Sequence, residues 1–218
     1  MGELIYAVGD VHGSHGQLLA AIDRIGAHAG TRPYRVVLLG DYVDRGPKSR
    51  EVVELVQDLV TGEGTRGKWF ALKGNHEDMM IAAGTDLRSL YHWYDNGGDE
   101  TEGSYAGFAD EKQQHITWLS SLPAMIEMEN HIFVHAGLSS RYSLAGQPEE
   151  VRLWIRGWEK DDHDFGKHVV YGHTPHDHPI LRPHSTGLDT GACYGGPLSV
   201  GVFDAAVNAG PIDILEAR

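Results

Sequence analysis

A single cysteine in 218 residues leaves no partner for an intrachain disulfide, which leads us to expect a reducing, cytoplasmic setting. No apolar run approaches the ~18 residues that cross a bilayer. No basic stretch followed by a long apolar run opens the sequence, so no secretory leader and no membrane partner are expected. Basic residues are also scarce: 18 Lys and Arg stand against 31 Asp and Glu, a formal net charge of −13. That balance argues against a nucleic-acid backbone as the main partner. It leaves open phosphate chemistry at a small site where bound cations reverse the local sign. With 41% apolar and only 22% charged residues, disorder is excluded. The length suits one domain over 1–218, with room for a small cap and a sizeable core. What the chain has in excess is glycine, at 28, and histidine, at 14.

Apolar runs at Leu4–Val8, Arg35–Leu39 and Trp69–Leu72 read as buried strands. Between them, Ser14 to about His28 and Ser49 to about Val60 have helical periodicity. Ser14 is placed to cap the first helix, whose apolar face is expected to comprise Leu18, Leu19, Ile22 and Ile25. This strand–loop–helix alternation predicts βαβ units and a largely parallel sheet. Residues 84–111 lose periodicity and read as a helical or irregular cap. Beyond Pro123 the chain turns β-rich, with strands expected at His131–His135, Val169–Tyr171, Thr186–Asp189, Leu198–Phe203 and Ile212–Leu215. The short turns between the last three suggest an antiparallel meander. The expected fold is α/β (α+β by some schemes), with two packed mixed sheets flanked by helices.

Five short motifs follow these apolar runs: Gly9-Asp10-Val11-His12-Gly13, Gly40-Asp41-Tyr42-Val43-Asp44-Arg45-Gly46, Gly74-Asn75-His76-Glu77, His135-Ala136-Gly137 and Gly172-His173-Thr174. Taken singly, each reads as a turn or a structural histidine. Together they set polar side chains where ligands gather in open α/β sheets, at the carboxyl ends of strands. Asp10, His12, Asp41, Asn75, His135 and His173 offer mixed oxygen and nitrogen donors, which suit Mn, Fe or Zn better than Ca. Six donors are too many for one tetrahedral ion, and Asp41 is the natural carboxylate to bridge two.

The motif order resembles the phosphoprotein phosphatase branch of the calcineurin-like metallophosphoesterases, especially the bacterial and bacteriophage-lambda type of serine/threonine protein phosphatase. The resemblance covers about residues 4–204 and extends to Asn96-Gly97-Gly98, Leu153-Trp154-Ile155-Arg156 and Asp189-Thr190-Gly191-Ala192. It implies an αββα sandwich. It also implies two divalent metals, Mn2+ foremost with Fe, Zn or Ni as alternatives. Asp10 and His12 would bind one ion, Asn75, His135 and His173 the other, and Asp41 both. His76 would be the general acid and Asp44 the carboxylate that orients it. Arg45 and Arg156 would grip the substrate phosphate, with Asn75 and Asn96 as further substrate contacts. The implied reaction is hydrolysis of phosphoserine or phosphothreonine in proteins or peptides by a metal-bridging hydroxide.

The sequence departs from the large eukaryotic phosphatases at the short Cys193-Tyr194-Gly195-Gly196 stretch, so their regulatory behaviour is not carried over. Symmetrical dinucleoside tetraphosphatases share the first motif but usually lack an acid at the place of Asp44 and carry Asp where this chain has Glu77. Hydrolysis of dinucleoside polyphosphates or other small phosphate esters is therefore the second reading, and a non-catalytic phosphate-binding scaffold the third. Cys193 reads as a small packing residue. His176-Asp177-His178, the acidic residues at 100–111 and Asp161-Asp162-His163-Asp164 read as solvated surface.

Overall fold

The computed structural model describes residues 2–62 and 66–218. In chain order the elements are β1 (Leu4–Val8), α1 (His15–Ala29), β2 (Tyr34–Leu38), α2 (Ser49–Thr61), β3 (Lys68–Ala71), α3 (Asn75–Ala82), α4 (Leu87–Tyr94), α5 (Gly98–Ser104) and α6 (Ala109–Ser120). They continue with β4 (Met125–Glu127), β5 (His131–Val134), α7 (Glu149–Trp154), β6 (His168–Tyr171), β7 (Ile180–Leu181), β8 (Ser185–Gly187), β9 (Leu198–Asp204) and β10 (Asp213–Ala217).

Two mixed sheets of five strands result, in the orders β10-β9-β1-β2-β3 and β4-β5-β6-β8-β7. In the first, β1, β2 and β3 run parallel, while β9 and β10 are antiparallel additions. In the second, β5, β6 and β8 run parallel between the antiparallel edges β4 and β7. Side chains alternate between the faces of a strand, and the core divides accordingly. Ile5, Ala7, Val37, Phe133, Val170 and Phe203 fill the layer between the sheets. Leu4, Tyr6, Val8, Val36 and Leu38 face the helices on the outer side of the first sheet. Ile132, Val134, Val169 and Tyr171 pack with Trp158 outside the second. Among the described residues no helix is long and apolar enough to cross a membrane.

Three expectations need correction. Thr186–Asp189 does not begin a meander: its strand, β8, lies in the second sheet, whereas β9 and β10 form a hairpin on the first. Ser14 makes no capping bond to α1; its hydroxyl points at the His12 carbonyl oxygen, 3.5 Å away. The buried stripe of α1 is Leu18, Ala21, Ile25 and Ala29, and Leu19 is 44% exposed. Of the two readings of 84–111, the helical one holds: the segment carries α4, α5 and the start of α6. Asn75 and His76 open helix α3.

Candidate active site

The strands β1, β2, β3, β5 and β6 end next to one another, and the five motifs follow them. The motif backbone is unusual. Among the described residues, six non-glycine positions have positive φ, and five of them are His12, Asp41, Asp44, Arg45 and His173. Such conformations cost of order 1–3 kcal/mol each and persist where surrounding contacts impose them. One source of those contacts is Glu77, which is fully buried. Its carboxylate accepts hydrogen bonds from the amides of Asp41 (2.8 Å), Tyr42 (2.7 Å), Val43 (3.3 Å) and Gly74 (2.8 Å). It thereby staples the loop after β2 to the start of α3. Two glycines admit the donors. A Cβ at Gly172 would lie 2.0 Å from Asp10 Oδ1, and one at Gly74 would lie 2.2 Å from Asp41 Oδ1.

Asp41 is the centre of the donor set. Its Oδ2 lies 3.4 Å from His12 Nε2 and its Oδ1 3.4 Å from His135 Nε2. Two groups have their ligand atoms within 4.8 Å of one another: His12, Asp41 and His76, and Asp41, His135 and His173. His12 Nδ1 donates to the Val43 carbonyl at 2.7 Å, and His135 Nδ1 to the Leu39 carbonyl at 2.8 Å. With their protons committed there, both Nε2 atoms offer lone pairs, the usual way in which carbonyls orient metal-binding histidines. The His135 lone pair faces Asn75 Oδ1 at 2.9 Å, and His173 Nδ1 lies 2.7 Å from the same oxygen. Asp10 sits beside these groups with both oxygens on the His173 amide, at 3.1 and 2.9 Å.

The electrostatics fit cations. Burial lowers the pKa of His12 to about 3, of His173 to about 3, and also that of His135. Burial, Asp189 and Asp41 push the Asp10 carboxyl well above the usual carboxylate range. Burial opposes the ionised form of Asp41 too, but four surrounding histidines pull it below that range. Neutral imidazoles and crowded buried carboxyls whose acceptors face one another are relieved by divalent ions. The residues present therefore suit a dinuclear divalent-metal site.

His76 differs from the other histidines. Its Nδ1 lies 2.7 Å from Asp44 Oδ2. Burial lowers its pKa, but Asp41 and Asp44 outweigh that and raise it. Arg45 lies beside the cluster, its Nη1 donating to His12 Nε2 at 2.8 Å and its guanidinium 5.6 Å from the centre of the Tyr194 ring. Arg156 is at the exposed rim, with Nη1 3.4 Å from Thr174 Oγ1. Asn96 is not drawn into the cluster: its amide donates to the His92 carbonyl at the end of α4. Three further residues were given no site role by sequence reasoning. Asp189 is buried next to Asp10, and burial pushes its carboxyl up to about 6. Trp93 and Thr101 are buried against Asp44.

The family model for calcineurin-like phosphoesterases matches residues 4–202. This chain belongs to that family. A calcineurin-like phosphoesterase with this donor set is a metal-dependent phosphoester hydrolase. Among its relatives is the asymmetrical bis(5'-nucleosyl)-tetraphosphatase PrpE of Bacillus mycoides, 26% identical over 88% of this chain and 87% of that protein. The serine/threonine-protein phosphatase 1 of Salmonella typhimurium is also 26% identical, over 90% of each. A solved serine/threonine phosphatase from Saccharomyces cerevisiae superposes with a TM-score of 0.66 at 16% identity, over all of this chain and 80% of that one. That likeness concerns the fold alone.

Proposed function

We propose that this chain is a two-metal phosphomonoesterase that dephosphorylates phosphoserine and phosphothreonine in proteins or peptides. The observation that supports this most is the buried His76–Asp44 pair at 2.7 Å. A serine or threonine alkoxide is a poor leaving group and departs as it gains a proton, for which a histidine held by a carboxylate is suited. The nucleotide that leaves when a phosphoanhydride of a dinucleoside polyphosphate is cleaved is a far better leaving group and gains less from such a pair.

In this reading residues 1–218 form one catalytic domain, with α4 and α5 as its cap. Asp41 would be shared between the two ions, Asp10 and His12 would complete one site, and Asn75, His135 and His173 would complete the other. Mn2+ is the first candidate and Fe, Zn or Ni the alternatives. When bound, such ions act as Lewis acids on phosphoryl oxygens and lower the pKa of water. The side chains do the rest. Arg45 and Arg156 present forked donors to the phosphate oxygens. Arg45 must leave His12 to do so, and Asn96 joins only if its amide leaves the His92 carbonyl. His76 releases its Nε2 proton to the departing oxygen while Nδ1 stays on Asp44. No protein nucleophile is required, and burial pushes the Cys193 thiol up, away from the reactive thiolate. With a net charge of −13, no nucleic-acid backbone partner is proposed, and the lone cysteine supports a proposed cytoplasmic setting.

The likeness to PrpE supports a second reading, hydrolysis of dinucleoside polyphosphates. The test is kcat/KM of metal-stripped protein reconstituted with each candidate ion, measured side by side on phosphoserine peptide, phosphotyrosine peptide and diadenosine tetraphosphate. Phosphoserine peptide should lead by at least about tenfold. If the tetraphosphate leads, the second reading replaces the first.

A further inference from the structure

The pair assigned to proton donation is itself held from outside the two sheets. Asp44 is fully buried, as are Thr101 on α5 and Trp93 on α4. The Trp93 indole Nε1 donates across the carboxylate, 2.9 Å from both Asp44 oxygens. The Thr101 hydroxyl donates to Oδ1 at 2.7 Å and accepts from the Asp44 amide at 2.8 Å. His76 Nδ1 takes Oδ2. Three donors thus occupy most of what a carboxylate can accept, and its plane is fixed. Asp44 has φ 72°, so its backbone conformation is also one that neighbours impose. Gly98 makes room for the indole: a Cβ there would meet the Trp93 ring at 2.5 Å. The same segment reaches Arg45, whose amide donates to the Gly97 carbonyl at 3.1 Å.

We propose that Trp93 and Thr101 are positioning residues, through which the α4–α5 segment holds Asp44, and through it His76, in line with the departing oxygen. The proposal rests on the reading of His76 as the acid. It gives the helical segment a task in the chemistry itself, beyond covering the site. A donor whose orientation is loosened loses part of the ~10²–10⁴-fold that general acid catalysis supplies, and loses it most where the leaving group is poor.

Three variants test this. Thr101→Val keeps shape and removes the hydroxyl, Thr101→Ser keeps the hydroxyl, and Trp93→Phe keeps a ring and removes its donor. On metal-loaded enzyme, Thr101→Val and Trp93→Phe should lower kcat on a phosphoserine peptide by about tenfold and on p-nitrophenyl phosphate by less than about twofold. Thr101→Ser should stay near wild type on both. In metal-free protein, nitrogen-15 NMR should show the His76 Nδ1 proton protected from exchange in wild type and Thr101→Ser, and exchanging faster in the other two. If Trp93→Phe fails to fold, Thr101→Val carries the test. Equal losses on both substrates, or unchanged exchange with unchanged kcat, would overturn the proposal. His76→Asn separates the two levels of the argument. If it discriminates between the substrates and the positioning variants do not, only the positioning claim falls. If His76→Asn affects both substrates alike, the acid reading falls and takes the positioning claim with it.

Discussion

Substituting Gly172 with alanine probes whether metal affinity depends on where the Asp10 carboxylate is held. The added methyl would lie 2.0 Å from Asp10 Oδ1 and 3.1 Å from its Cγ. Asp10 is 2% exposed, and both its oxygens already accept from the His173 amide. It has neither space nor a free rotation with which to yield. Relief to even a tight contact of about 3 Å requires a shift on the order of 1 Å, whereas metal–ligand distances tolerate about 0.2 Å. Disturbing residues that merely support a ligand costs about 10–100-fold in metal affinity, so displacing Asp10 should cost at least as much at the ion it serves. The measurement is calorimetric titration of Mn2+ into metal-stripped protein, alongside the Tm of the same metal-free sample. Gly26→Ala on α1 is the control. Nothing lies within 4 Å of its added Cβ, and it should leave Mn2+ affinity unchanged while stabilising the helix by up to about 1 kcal/mol. Asp10→Ala completes a double-mutant cycle. If Asp10 transmits the effect, Gly172→Ala adds nothing on the Asp10→Ala background. Mn2+ affinity within about twofold of wild type in Gly172→Ala, with an unchanged metal-free Tm, would refute the reasoning.

Glu77→Gln should leave two of the four amides that Glu77 now serves facing an NH2 group, at about 1–3 kcal/mol each, and lower Tm by on the order of 10 °C. Burial and Asp41 push the Glu77 carboxyl up to about 7, so the melt belongs at pH 8, where the anion prevails; a shift under about 2 °C contradicts the staple. Asp41→Asn should reduce the Mn2+ content of loaded protein from two ions to less than one, read by elemental analysis, with nearly all activity lost. Acid should weaken the fold through His168, whose pKa burial lowers from 6.5 to about 4. Above pH 6.5 it is neutral folded or unfolded and contributes no pH dependence. Between 6.5 and 4 only the unfolded chain takes the proton, so stability falls as pH falls, by about 3 kcal/mol in total. Denaturant titrations of metal-free protein at several pH values should show that slope in wild type and a shallower one in His168→Asn.

The strands and the donor set were legible because both depend on local pattern. Runs such as Leu4–Val8 are apolar on both faces because both faces are covered. The motif residues carry the hard donors that phosphate chemistry needs, each directly beyond such a run. Sheet membership was not legible. Ser185–Gly187 has the composition of any short buried strand, and its place beside β6 is decided by the crossover that precedes it. The roles of Trp93 and Thr101 were hidden for a related reason. They lie in short helices of eight and seven residues, and only tertiary packing turns an indole N–H toward a carboxylate 49 positions earlier in the chain. Ser14 follows the capping rule in type and position, but its hydroxyl points at the His12 carbonyl in the strained turn beside the site.

The pairing of β1 with β9 also bears on how the chain is made. Ile5 lies opposite Phe203, so β1 leaves the ribosome well before a partner encoded some 200 residues later. At about 5–20 residues per second, that edge stays open for roughly 10–40 s of synthesis. Until β5 and β6 have emerged as well, the inner apolar faces of β1 and β2 have no second sheet against them. Nascent chains of this protein should therefore be substrates for ribosome-associated chaperones, and should acquire protease resistance late, once β9 has emerged.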